Sequence, residues 1–218
     1  MVYYALLKYH PTEHISRYLL AAPNAETIDE WWREVSSKHD QVKRLAPDYY
    51  SFGAGPAAYD LAPSFVNKIM FTLLNDRDAR IMSTFGQPER TDVVSGEAYY
   101  IRSKSNPELY WLAKGGLIYA TKLGRTRFIF RLAGEQNSDK NRTVLIGKDF
   151  ISISAVGGNN QKYVGVNDEG ELTLSGHSCR MYYSDLKKNF LAQGETGTSE
   201  SVQITKSDGY GEEWELVR

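Results

Sequence analysis

The densest group of ligand-type side chains in the chain is the loop Gly157-Gly158-Asn159-Asn160-Gln161, followed by Tyr163, Asn167 and Asp168. Amides carry donors and an acceptor together, and a carboxylate accepts. Such groups can pair with the hydroxyls of a sugar while a tyrosine ring covers its apolar face. Asn106, Tyr110 and Trp111 offer the same combination elsewhere in the chain. The same residue types also build turns with no ligand, because Asn and Asp bond their own backbone.

Catalytic constellations are weaker. The histidines are His10, His14, His39 and His177. His10 and His14 have the spacing of a helical metal pair, but Pro11 follows His10 directly and the flanks read as extended. His177-Ser178-Cys179 sets a base near the one thiol. A cysteine nucleophile needs a lowered pKa and a placed base, and a half-buried loop cysteine is the plainer reading. Asn75, Asp76 and Asp78 make an oxygen-rich turn without the longer ligand series of a calcium loop. Gly53 and Gly55 are followed by Pro56, outside any strand-to-helix unit that could cradle a phosphate. No cofactor or metal is expected, and the residues favour binding over catalysis. The competing reading is an enzyme built around His10, His14, Asp40 or His177.

Lys122, Arg125, Arg127 and Arg131 lie near Phe128 and Phe130, and basic residues interleaved with aromatics can hold nucleic-acid strands. Strand alternation instead puts Arg127, Ile129 and Arg131 on one face and the two phenylalanines on the other, the pattern of a half-exposed strand. Lys plus Arg number 26 and Asp plus Glu 27, so the net charge of -1 gives no general pull toward nucleic acid or anionic membranes.

The elements that would carry these residues are mostly strands. Tyrosine is frequent, at 15, and favours them. Runs of strand formers recur at 99–101, 109–113, 117–123, 128–132, 150–156, 163–166, 172–175, 202–205 and 214–217. Ile151, Ile153 and Ala155 alternate with polar residues, as do Leu172 and Leu174. Lys114-Gly115-Gly116 and Asp168-Glu169-Gly170 supply glycines for hairpin turns.

In the N-terminal part, strands are expected at Tyr3–Tyr9 and His14–Ala21. One helix is expected over about 27–37. Thr27-Ile28-Asp29-Glu30 reads as its capping box, and Ile28, Trp31, Trp32 and Val35 as its buried stripe, with Asp29, Arg33 and Ser36 opposite. Ile69–Phe85 reads either as a hairpin about Asn75–Asp78 or, in part, as a helix over Ser64–Leu74 started by Pro63.

From Tyr99 onward a strand order repeats. Tyr100-Ile101-Arg102, Tyr110-Trp111-Leu112, Leu117-Ile118-Tyr119 and Phe128-Ile129-Phe130 make one unit. Ile151-Ser152-Ile153, Tyr163–Val166, Leu172-Thr173-Leu174 and Met181-Tyr182-Tyr183 make a second. Phe190-Leu191-Ala192, Val202-Gln203-Ile204 and Trp214-Glu215-Leu216 make a shorter third. Units that cannot close a core alone must stack. Over residues 97–218 this resembles the β-trefoil superfamily. The likeness to its fascin-like branch lies in Ile151-Ser152-Ile153-Ser154-Ala155, Gln161-Lys162-Tyr163-Val164 and Gly170-Glu171-Leu172, and the general look is similar to fungal lectin-like and inhibitor-like members. The Gln-x-Trp signature of ricin-type lectins is absent, and one cysteine, Cys179, forbids the Kunitz-type disulfide.

The expectation is therefore a mainly β protein: an α+β region over 1–96 with one capped helix, then a β-trefoil-like domain over 97–218, with a β-sandwich as the alternative. The short third unit leaves room for the strand Tyr3–Tyr9 to share its core. The expected function is non-catalytic carbohydrate binding of the lectin type. The alternative is a protein-binding trefoil such as a protease inhibitor. A glycan or protein ligand is expected, with no nucleic acid and no membrane span. A single cysteine and an N-terminus without a signal-peptide pattern point to the cytoplasm.

Overall fold

The computed structural model describes residues 2–9, 17–40, 42–53, 60–74, 91–134, 143–157, 161–193 and 201–218. The protein is mainly β, and it divides into two compact units, Met1–Asp92 and Val93–Arg218, each with its own hydrophobic core.

The first unit is a five-stranded sheet with one helix packed against it. Strands β1 (Tyr3–Tyr9), β2 (Arg17–Ala22), β3 (Val42–Ala46), β4 (Tyr49–Phe52) and β5 (Met70–Leu74) take the order β3-β4-β1-β2-β5. β1 is parallel to β4 and antiparallel to β2, so both its edges are occupied within this sheet. The β3–β4 hairpin turns at Pro47-Asp48, a turn pair the strand-run reading passes over.

Helix α1 runs over Ala25–Lys38 and packs against β1, β2 and β3. Its N-cap corrects the capping-box reading. Asn24 is extended (φ -160°), and its Oδ1 accepts from the Thr27 backbone N–H and the Thr27 hydroxyl, each at 2.9 Å. An Asn can cap as well as a Thr, and here it sits one turn earlier. Ile28, Trp31 and Val35 are fully buried, whereas Trp32 is half-buried. Trp31 meets Tyr50 and Phe71 edge-on, with centroids at 5.6 and 5.9 Å. Asp29, expected on the solvent side, is buried as well, because Arg44 reaches it from β3.

The rival helix over Ser64–Leu74 is not formed. A 3-10 turn covers only Pro63–Phe65, and Met70–Leu74 pairs with β2 instead. The expected hairpin partner of β5 lies outside the described residues.

The second unit is one eleven-stranded sheet. Its strands are β6 (Ala98–Ser103), β7 (Tyr110–Lys114), β8 (Leu117–Thr121), β9 (Arg127–Leu132), β10 (Phe150–Ala155), β11 (Lys162–Val166), β12 (Leu172–Ser175), β13 (Met181–Tyr182), β14 (Phe190–Gln193), β15 (Ser201–Lys206) and β16 (Trp214–Val217). Seven of them close into a barrel in the order β12-β11-β10-β9-β6-β7-β8, sealed where Thr173 of β12 pairs with Leu117 of β8. The sheet closes on itself rather than splitting into two facing sheets, so the β-sandwich alternative falls. β13 and β16 extend β10 and β6, while β15 joins β8 and β14 joins β15. Gly115 and Gly116 take positive φ (63° and 87°) at the β7–β8 turn, as a tight hairpin between twisted strands requires.

Alternation decides what enters the barrel. Tyr99, Ile101, Phe128, Phe130, Ile151 and Ile153 point inward and are buried. Trp111 is fully buried at the centre, with Phe190, Trp214 and Phe128 edge-on at 5.5, 5.6 and 6.1 Å. Trp111 was expected to stack on a ligand; the period-2 pattern of β7 sends it inward and its neighbour Tyr110 outward.

Candidate functional site

By alternation Phe150, Ser152 and Ser154 lie on the outer side of β10, because Ile151 and Ile153 take the inner one, although Ser154 is itself buried at 2% exposure. At its start Phe150 pairs with Tyr182 of β13. Their rings stack with centroids 4.2 Å apart, tilted by 30°, and each residue is 45% exposed. Two large rings stacked at the surface, each partly exposed, form an aromatic platform.

Polar groups border the platform. Ser152 pairs with Arg131 of β9, which places a hydroxyl and a guanidinium beside the rings on the same face. Further along, Gln161 Nε2 donates to Ser154 Oγ at 3.0 Å, and Tyr163 is the cross-strand neighbour of Ser154. From Phe150 to Ser154 the strand advances about 13 Å. The face thus offers an aromatic floor at one end, a hydroxyl and a cation in the middle, and an amide and a phenol at the other end.

The sequence-selected residues do not assemble into one site. Gln161 and Tyr163 join the β10 face. Asn167 lies at the far end of β11, roughly 20 Å away along the strand. Its Oδ1 accepts from the Glu169 and Glu171 backbone N–H groups at 3.1 and 2.8 Å, and its Nδ2 donates to Glu171 at 2.9 Å. Asn167 therefore builds the β11–β12 turn, with exposed Asp168 at the tip. Asn106 does similar work between β6 and β7, where Oδ1 accepts from Glu108 N–H at 3.4 Å. Asn159 and Asn160 lie outside the described residues, as do His10, His14, Asn75, Asp76 and Asp78.

Tyr110, half-buried, belongs to a second face of the sheet. It meets Tyr100 of β6 edge-on at 6.5 Å, and the Arg125 guanidinium lies over both rings, 4.3 Å from Tyr100 and 5.3 Å from Tyr110.

Phe150 and Tyr182 escaped the sequence reading although a signal existed. A phenylalanine in register with Ser152, on a strand whose isoleucines must face the core, has to point outward. Of the adjacent Tyr182 and Tyr183, one has to do the same.

His177 is exposed and makes its hydrogen bonds through its backbone to Ser175, and the Cys179 thiol points at the Arg180 carbonyl at 3.7 Å. Among the described residues no three His, Cys, Asp or Glu side chains converge as a metal site. No helix among them is long and apolar enough to cross a membrane.

The most strongly coupled charges lie in the first unit. Arg44 Nη1 donates to Asp29 Oδ1 at 2.9 Å and to the Tyr50 hydroxyl at 2.8 Å, and Arg44 Nε donates to Asp92 Oδ1 at 2.9 Å. The guanidinium also lies 5.2 Å from the Trp32 ring. Burial works against its charge, but Tyr50, Asp29 and Asp92 outweigh that and hold its pKa above the ordinary arginine range. Both Nη1 donors and Nε are engaged inward, so this cluster is a clamp between strand and helix.

No protein-family model matches this chain, and no curated protein does either.

Proposed function

We propose that this protein is a non-catalytic, carbohydrate-binding protein of lectin type, whose second unit is β-trefoil-like. The observation that carries the binding reading is the exposed, stacked Phe150–Tyr182 pair on the face that also holds Ser152, Arg131 and Gln161. Sugars present an apolar ring face and a rim of hydroxyls. A flat aromatic surface next to hydroxyl, amide and guanidinium groups complements both. The length of the face suits an oligosaccharide better than a single ring.

The trefoil reading is supported by a recurring order of pairing. β6 and β9 enclose the hairpin β7–β8, and β10 and β13 enclose β11–β12. The last strand of the second unit returns to its first where β16 pairs with β6, and Glu212 bridges to Phe190. β8, β12 and β15 also touch one another in all three combinations, through Thr173–Leu117, Val202–Ala120 and Glu171–Thr205.

A glycan array tests the function with the native protein and the Phe150→Ala and Tyr182→Ala variants. Both rings are half-exposed, so the variants should fold. Binding to a defined set of glycans by the native protein, lost in both variants, is expected. Silence across a broad array, or binding indifferent to both substitutions, would remove the reading.

One observation favours protein recognition as the second reading. Tyr210 is 86% exposed in the turn before β16, the kind of projecting side chain an inhibitor inserts into a partner. Capture of a protease that Tyr210→Ala abolishes would favour it.

A further inference from the structure

The Lys122–Arg131 segment, which in sequence reads as a basic strand with buried aromatics, acquires half-buried aromatics from its neighbours. Phe128 and Phe130 are buried, but Tyr100 and Tyr110 from β6 and β7 lie outward beneath Arg125, and Arg127 lies 5.7 Å from the Tyr100 ring. Arg125 has no carboxylate partner among the described residues, and Arg127 is engaged by the Ala98 carbonyl rather than by an acid. Two acids on these strands and loops already have partners: Glu215 accepts from Arg102 Nε at 2.8 Å, and Glu108 pairs with Lys122. Arg102, Lys122, Arg125 and Arg127 thus face Glu108 and Glu215, a local excess of positive charge in a chain whose net charge is -1.

The backbone just after Arg125 is fixed. Its neighbour Thr126 donates its backbone N–H to the Trp111 carbonyl at 2.9 Å and accepts the Ala113 N–H on its hydroxyl at 2.9 Å. The loop is therefore pinned to β7, and the guanidinium carbon lies 4.3 Å from the Tyr100 ring centroid and 5.3 Å from that of Tyr110. A stacked guanidinium keeps its N–H edge free for an oxyanion while losing little further rotamer freedom on binding.

We propose that the Tyr100–Tyr110–Arg125–Arg127 face is a second binding site, which recognises a sulfate or carboxylate group borne by an acidic glycan. The choice of a glycan rests on the carbohydrate-binding reading above; the geometry of the oxyanion site does not.

Titration calorimetry with a sulfated oligosaccharide, its desulfated counterpart, inorganic sulfate and a single-stranded DNA oligonucleotide tests this. The native protein is compared with Arg125→Gln, Tyr100→Leu and Phe150→Ala, each checked for an unchanged thermal melt. The sulfated sugar is expected to bind about tenfold or more weakly to Arg125→Gln, the worth of a charge-assisted hydrogen-bonding group. It should lose several-fold in Tyr100→Leu, which keeps the charge and removes the stack. Any binding of the desulfated sugar should be indifferent to Arg125. Equal affinity of native protein and Arg125→Gln for the sulfated sugar would overturn the site. Sulfate alone binding as tightly as the sulfated sugar, or DNA binding more tightly with the same dependence on Arg125, would overturn its occupant. Loss of neutral-glycan binding in Phe150→Ala, with no effect of Arg125→Gln on the sulfated sugar, would leave the carbohydrate reading standing and defeat this one. Arg125-dependent binding of the sulfated sugar, with neutral-glycan binding indifferent to Phe150→Ala, would keep this site and defeat the Phe150–Tyr182 site.

Discussion

Arg44 Nη1 lies 2.9 Å from Asp29 Oδ1, so a strand and the helix packed on it are joined by an ion pair whose side chains are only 5% and 8% exposed. Asp92 and the Tyr50 hydroxyl complete the shell. Breaking a buried pair by removing one partner strands the other charge and costs about 3–5 kcal/mol. Asp29→Ala should lower the urea-unfolding free energy of the first unit by about that amount. Replacing both partners, Asp29→Leu with Arg44→Met, should cost clearly less than the sum of the single changes. Strict additivity in that cycle would show that the two residues do not act together.

Tyr50 gives the same cluster a pH dependence. Burial first raises its hydroxyl pKa above the tyrosine range; Arg44 opposes this, and Asp29, Tyr3 and Asp92 add to it. A raised acid holds its proton more tightly when folded. The stabilisation is fully present below the unfolded pKa of about 10 and is lost as pH rises from there through the folded value. Tyr50→Phe should therefore flatten the alkaline fall of stability. It should also be less stable near neutrality by about 1 kcal/mol, through loss of the 2.8 Å bond to the Pro47 carbonyl. An alkaline slope identical to that of the native protein would contradict the assignment.

The helix start is decided by Asn24, not Thr27. Asn24→Ala should cost about 1 kcal/mol, the usual worth of an N-cap side chain. Thr27→Ala, which removes only the hydroxyl that donates to Asn24, should cost less. Chemical denaturation of the two variants orders them, and the opposite order would restore the capping-box reading.

Gly211 marks the place where the chain's last turn crosses β14. A Cβ built there would fall 2.4 Å from the Phe190 nitrogen and 2.7 Å from its carbonyl oxygen, both backbone atoms that cannot step aside. Gly211→Ala should destabilise the second unit by about 1–3 kcal/mol, in the range of overpacking. Gly176→Ala, with open space around the new methyl group, is the control. Equal melting temperatures for the two variants would mean that the crossing yields easily.

Trp31 and Trp111 separate packing from binding. Both are fully buried, and truncation to alanine should cost about 3–5 kcal/mol each. Near-native stability of Trp111→Ala with lost glycan binding would reverse the assignment and make Trp111 a ligand contact.

The strands were largely legible in the sequence because local chemistry specifies them. Tyr3–Tyr9 was read with its observed limits, and the runs from Tyr99 to Val217 fall on observed strands within a residue or two. Alternation alone sent Phe128, Phe130, Ile151 and Ile153 inward, and glycine marked the β7–β8 turn. The hairpin of β3 and β4 was missed because Lys43 and Arg44 break its apolar pattern, and Arg44 is buried only because Asp29 and Asp92 meet it there.

What the sequence determined by itself is what depends on neighbours a few residues away: strand period, turn glycines, the apolar stripe of α1 and the absence of a disulfide. What the tertiary structure decided is which distant residues share a surface. Register set Phe150 against Tyr182 and Tyr100 beneath Arg125, placed Asn167 far from Gln161, and buried Trp111. These pairings join segments tens of residues apart. A strand's own residues fix which of its side chains lie on the same face, but not which strand will lie beside it.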